Sequence, residues 1–142
     1  MKKLITTSAI AACISFSACA QKIDASKVSA AARASFAKTY PGVAAKWEKE
    51  NGKYEVNFKQ DGKTMSLLMD EKGAITETEV DIKVIGLPPT VVAYIKEHYK
   101  GKTIKEGAKI TRADGKVNYE AEVDGEDIIF DADGKFLKEI KD

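Results

Sequence analysis

The sequence predicts an α+β fold built from tandem duplicated units, each a helix plus a four-stranded antiparallel meander, with the helices covering one face of the sheet. Turn-forming dipeptides recur in two series: Asn51-Gly52, Asp61-Gly62 and Lys72-Gly73, then Asp114-Gly115, Asp124-Gly125 and Asp133-Gly134. Asn-Gly and Asp-Gly tolerate the positive φ angles of type I′ turns, whose twist suits antiparallel strands. Between the turns, apolar and polar residues alternate as a half-covered sheet requires. Ahead of each series an apolar residue recurs every fourth position: Val28, Ala32, Phe36 and Tyr40, then Leu87, Val91, Ile95 and Tyr99, offset by 59 residues.

Residues 1–20 carry two lysines, a modestly apolar stretch and small residues, the layout of a signal peptide. The stretch is too short and too weakly apolar to span a bilayer as a stable helix. Two processing readings fit. Ala18-Cys19-Ala20 suits a cut before Gln21, giving a periplasmic or secreted protein. Phe16-Ser17-Ala18-Cys19 resembles a lipobox, with Phe16 where leucine is usual, and would make Cys19 the lipidated first residue of a membrane-anchored lipoprotein. Membrane association follows only from the second reading, and both take the chain out of the cytoplasm.

Both cysteines, Cys13 and Cys19, lie in this leader, so the mature chain forms no disulfide and must be held by packing. A cut after Ala20 leaves 142 − 20 = 122 residues, enough for one compact unit, read as residues 21–142. It also removes Lys2 and Lys3, leaving 23 − 2 = 21 basic residues against 22 acidic ones, a net charge of −1. That balance gives no electrostatic footprint for nucleic acid or for an anionic membrane surface.

The first copy spans about residues 24–82 and the second about 87–141. Ser26 is the expected N-cap of the first helix, which ends ahead of Pro41-Gly42. A two-residue turn at Asp61-Gly62 sets Phe58 opposite Met65, Val56 opposite Leu67 and Tyr54 opposite Met69, every pair apolar. The turn at Asp124-Gly125 sets Ala121 opposite Ile128 and Tyr119 opposite Phe130. Trp47 falls opposite Val56 on the apolar face, a core position. DIKVIGLPP, residues 81–89, joins the copies without a long flexible linker, and Pro88-Pro89 opens the second helix. Beyond the helices the offset grows to 63, matching Trp47 to Ile110 and Tyr54 to Val117, as though the second copy had gained four residues in the loop after its helix.

FDADGKF, residues 130–136, has the acids and glycine of a calcium loop, but an EF-hand in that frame needs acidic ligands where Ile129 and Ile140 stand. The segment reads as a turn. His98 is the only histidine, at a helix end where it favours the dipole, so neither a histidine-based catalytic set nor a histidine-rich metal site can be assembled. Ser35-Phe36-Ala37-Lys38 fits S-x-x-K but lacks the motifs that accompany it, and Gly62-Lys63-Thr64 and Gly101-Lys102-Thr103 lack the upstream glycine of a phosphate loop. No catalytic residue, cofactor or metal ligand is assigned.

YPGVAAKWEKENGKYEVNFKQDGKTMSLLMDEKGAITETEV, with LPPTVVAYIKEHYKGKTIKEGAKI and YEAEVDGEDIIFDADGKFLKE after it, resembles the PepSY-like, beta-lactamase-inhibitor-like family of small exported bacterial proteins. KWEKENGKYEV and IIFDADGKF are its most specific segments. The resemblance covers both copies and implies tandem helix-plus-four-strand units; it implies a shape rather than an activity.

The functional expectation is a non-enzymatic binding module that meets another exported or envelope protein through the polar sheet face. Leu68 and Ile129 fall on that face opposite Glu55 and Glu120, as apolar contacts among polar neighbours, with Lys59 and Lys109 grouped around them. The alternative is a small-ligand or metal-binding envelope protein using acids such as Asp131 and Asp133.

Overall fold

The computed structural model describes residues 20–141. The leader up to residue 19, with Cys13 and Cys19, lies outside the described residues, so both readings of its processing stand. Nine strands form one antiparallel sheet in chain order: β1 Gln21–Ile23, β2 Ala45–Glu50, β3 Lys53–Gln60, β4 Lys63–Met69, β5 Ile75–Ile82, β6 Ile104–Arg112, β7 Val117–Val123, β8 Glu126–Asp131 and β9 Phe136–Lys141. Two helices, α1 Ala30–Thr39 and α2 Pro89–His98, each follow a single 3-10 turn. The two meanders are therefore not separate sheets. β5 pairs with β6, and the sheet runs unbroken through both copies. β1, which pairs with β2 at one edge, has too short a pattern to stand out in the sequence.

The expected cross-strand pairs all form: Phe58 with Met65, Val56 with Leu67, Tyr54 with Met69, Ala121 with Ile128 and Tyr119 with Phe130. Asn51, Asp61 and Asp124 each have positive φ and precede a positive-φ glycine, the backbone of type I′ turns. At Asp114-Gly115 only the glycine is left-handed, and Arg112 N–H donates to Lys116 O across the turn. The same longer turn occurs at Asp70–Ala74 and Asp131–Lys135.

The helices are set by different caps than the sequence suggested. Ser29, not Ser26, caps α1, its Oγ accepting from Ala32 N–H at 3.1 Å. Ser26 instead lies inside the preceding 3-10 turn, which Asp24 caps. Pro88 and Pro89 open α2 as expected, where missing N–H groups remove no helical bond. Each helix start is tied to the last turn of its own meander. Ser29 Oγ donates to Glu71 O at 2.7 Å, and Thr90 Oγ1 donates to Asp133 O at 3.0 Å.

Two cores result. Val28, Ala32 and Phe36 pack on Trp47, Tyr54, Val56, Phe58, Leu67 and Met69, with Phe36 edge-on to Phe58 at 5.2 Å. Leu87, Val91 and Ile95 pack on Ala121, Val123, Ile128 and Phe130. Because Val56 pairs with Trp47 whereas Ala121 pairs with Gly107, the counterpart of Trp47 is Gly107 and not Ile110. Likewise Tyr54, opposite Met69, corresponds to Tyr119, opposite Phe130, rather than to Val117. Gly107 leaves room for Leu87, whose Cγ would lie 3.1 Å from any added Cβ.

Gly134 takes φ +81° where the turn meets Thr90, and a Cβ there would collide with the Thr90 side chain. Gly125 takes φ +82° with nothing within 4 Å of an added Cβ. Gly125→Ala should thus cost only the left-handed backbone penalty, about 1–2 kcal/mol. Gly134→Ala should add overpacking to it and lose roughly 1–3 kcal/mol more. Urea unfolding of both variants checks this, and equal losses would show that the turn does not bear on the helix.

Candidate functional site

Both helices lie on one side of the sheet, and the register fixes what the other side presents. One row of side chains crosses it as Glu48, Glu55, Leu68, Glu77 and Arg112 on β2 to β6. The next runs Lys46, Asn57, Ser66, Glu79, Ile110, Asn118 and Asp131, on β2 to β8. A third runs Asp81, Ala108, Glu120, Ile129 and Lys138 on β5 to β9, and a fourth Glu106, Glu122, Asp127 and Ile140.

This open face has an apolar floor. Ala108 and Ile129 are each 3% exposed and Ile110 is 9% exposed, although no helix covers them. The stems of their cross-strand neighbours, among them Glu79, Glu120 and Lys138, provide the cover, an arrangement in which long charged side chains bury their methylenes and keep their heads outward. Leu68 stands among the carboxylates as the sequence placed it, half-buried opposite Glu55. Ile129 is opposite Glu120 as expected, but the expectation that it is an exposed contact is corrected by its burial.

Lys109 requires a second correction. It pairs with Val80 and Tyr119, whose row continues to Phe130, so it belongs to the helix side and not to the open face. The register slip behind this is the one that matched Trp47 to Ile110. Lys59 does lie on the open side, one pleat from Asn57 and opposite Thr64.

Carboxylates crowd the central strands. Burial, then Asp81, Glu55, Asp127 and Glu77, push the Glu79 carboxyl up to about 7. Burial, then Glu79, Asp127, Asp81 and Glu122, push Glu120 up to about 8. Glu55 is also raised, chiefly by burial with help from Glu48 and Glu50, against the bond it accepts from Asn57 Nδ2 at 3.2 Å. Desolvation and like charge both disfavour the ionised form, and here they act together. Arg112 comes within 3.9 Å of Glu77 at one end of the seam. Beside it an open depression of about 310 Å³ is lined by Lys53, Thr76, Glu77, Arg112, Ala113 and Asp114.

Sequence reasoning found Glu55 and Glu120 but not the acids between them. Glu77, Glu79 and Asp81 alternate along β5, a pattern present in the sequence, and a connection drawn from residue 81 onward hides only the last of them. Ile110 and Ala108 were hidden by the wrong repeat offset.

Elsewhere the polar groups serve the fold. Asp131 Oδ1 accepts from Asp133 N–H at 3.0 Å and Lys135 N–H at 2.9 Å, as Asp70 Oδ1 accepts from Lys72 and Ala74, so the FDADGKF acids shape a turn. His98 ends α2, stacked on Tyr94 at 4.0 Å with Nδ1 3.0 Å from Tyr94 O. Tyr99 O–H donates to Glu139 at 2.6 Å, pinning the end of α2 to β9 and lowering that carboxyl.

A family model described as "Putative beta-lactamase-inhibitor-like, PepSY-like" matches the chain twice, over residues 16–77 and 70–138. No curated protein matches it. Among solved structures, a DUF2874 family protein from Bacteroides uniformis is similar with TM-score 0.67 and 18% identity, over 78% of this chain and 86% of that one. A protein from Bacteroides eggerthii described as "putative periplasmic" gives TM-score 0.68 and 13% identity over 78% and 86%. A BLIP-like protein from Bacteroides fragilis gives TM-score 0.55 and 24% identity over 77% and 82%. At these identities the likeness is one of fold.

Burial of Ile129 has a direct consequence. Ile129→Ala should lower the unfolding free energy by about 2–4 kcal/mol, the range for truncating a buried aliphatic. Leu68→Ala should cost less, because its side chain is already partly in water. Chemical denaturation of the two variants decides it, and equal small losses would mean that the apolar floor is not packed.

Proposed function

The chain belongs to the PepSY-like, beta-lactamase-inhibitor-like family, and from that premise we propose that it is a non-enzymatic binding module of the cell envelope that receives the basic surface of another exported protein on its open sheet face. One observation carries the reading. Nine strands present an uncovered face whose central acids, Glu79 and Glu120, are partly desolvated over an apolar floor. A lysine or arginine brought against them favours their ionised form and offsets the repulsion among them, while Leu68 supplies an apolar contact at the same level. The partner's cations are recognised by Glu55, Glu77, Glu79 and Glu120, and Lys59 and Lys138 at the margins set the register.

Location in the periplasm is supported by the leader and by likeness to a structure described as periplasmic. A non-catalytic role is supported by the family's inhibitor-like description and by the placement of His98, which ends α2 on the helix side of the sheet. Under this reading the protein acts by occupying a partner, as an inhibitor or accessory subunit does.

The test places a photo-crosslinker at Leu68 on the open face and, in a second protein, at Lys109 on the helix side, and exposes both to envelope extract. Adducts should form from position 68, involve basic segments mapped by mass spectrometry, and weaken with added salt, since charge steering is screened. The same adducts from both positions, or adducts indifferent to salt, would remove the open face from consideration.

A further inference from the structure

We propose that the seam between the two repeats is a proton-operated device: carboxylates converging over β5, β6 and β7 repel one another when ionised, and taking up protons tightens the sheet where the repeats join. The geometry comes first. The two buried clusters are distinct, one per repeat, and across the seam the strands are joined by the β5–β6 ladder, with Ile82 of β5 packing on the second cluster. On the open side of that ladder Glu77, Glu79 and Asp81 project from β5, two residues apart. Glu120 lies one strand beyond Ala108, a residue too small to separate it from Asp81.

Most strands around the seam add to the charge, the exception being β4, which presents Thr64, Ser66 and Leu68 there. From β7 and β8 come Glu122, Asp127 and Asp131, and from β6 Glu106. From β2 and β3 come Glu48 and Glu55. The cations are peripheral: Lys46 on β2, Lys53 and Lys59 on β3, Lys138 on β9, and Arg112, which approaches Glu77 rather than Glu79; Lys53 lines the depression beside that Glu77–Arg112 end of the seam. The crowding lifts Glu79 to about 7 and Glu120 to about 8.

The unfolded chain has ordinary carboxylates, so between their usual range and neutrality the folded state holds protons that the unfolded state has released. Stability therefore falls as pH rises from the ordinary carboxylate range to the folded values of about 7 and 8 and levels off above them, by up to about tenfold in the folding constant per pH unit for each proton. This is a property of the isolated chain, whether or not the face binds a cationic partner.

Carboxyl carbon NMR of the protein should find Glu79 and Glu120 titrating as a coupled set between about pH 6 and 8.5. Melting temperature should drop from the ordinary carboxylate range up to about pH 8 and level off above it. Glu79→Gln with Glu120→Gln should melt several degrees above the unsubstituted chain in alkaline buffer and level with it in mild acid. Amides of the β5–β6 ladder should gain about tenfold in exchange protection on acidification, after correction for intrinsic chemistry and beyond any gain in the β2–β3 ladder. The NMR titration needs no variant, so the proposal stays exposed to refutation even if the glutamines misfold. Titration of both carboxyls complete in the ordinary acidic range, a flat melting profile, or protection rising equally in both ladders would overturn it.

Discussion

Pairing of β5 with β6 is the constraint on which the rest of the molecule depends. Each repeat makes a helix-covered meander with its own buried cluster, the two sharing no buried residue and linked only where Ile82 at the end of β5 packs on the second. Edge-to-edge pairing turns two small sheets into one, satisfies two strand edges that would otherwise invite aggregation, and commits both helices to the same side. The opposite side is thereby left uncovered across its whole width, about 38 Å for nine strands at the usual spacing. A broad face is thus a product of how the repeats are joined rather than of either repeat by itself.

That face obeys competing demands. The residues of its central rows must keep water from Ala108, Ile110 and Ile129, which favours long side chains, and those available are mostly acids. Stems of glutamate cover the floor well, but their heads then share a partly desolvated layer with one another. On the helix side the outer strands meet the helices through aromatic and aliphatic residues; Phe36 meets Trp47 edge-on at 5.7 Å and Tyr94 stacks on Phe136 at 5.3 Å.

Local chemistry made most of the fold legible. Asn51-Gly52, Asp61-Gly62 and Asp124-Gly125 specify their turns through backbone conformation alone, and once those turns are placed the partners of Tyr54, Val56, Tyr119 and Ala121 follow by counting. Counting fails where turns differ in length. Asn51-Gly52 is a two-residue turn that leaves Glu50 opposite Lys53, whereas Arg112 faces Lys116 across three residues, so a single offset for the second repeat puts Ile110 and Lys109 on the wrong faces. Ser26 and Ser29 are both competent caps; tertiary contact chose Ser29, which also reaches the turn at Glu71. Burial of Ile129 was not legible because period-two patterning reports which face a residue occupies, not whether neighbours close over it.

Chain-order pairing of the strands also governs the route by which the structure is made. Every ladder joins strands adjacent in sequence, and within each meander only short turns must close; the β1–β2 and β5–β6 ladders instead close around a helix, α1 and α2. β1 to β5 and α1 complete a core before any residue of β6 is required, and β5 then offers a finished edge on which the second repeat can build. Assembly can proceed from the amino-terminal half outward, the first repeat serving as template for the second.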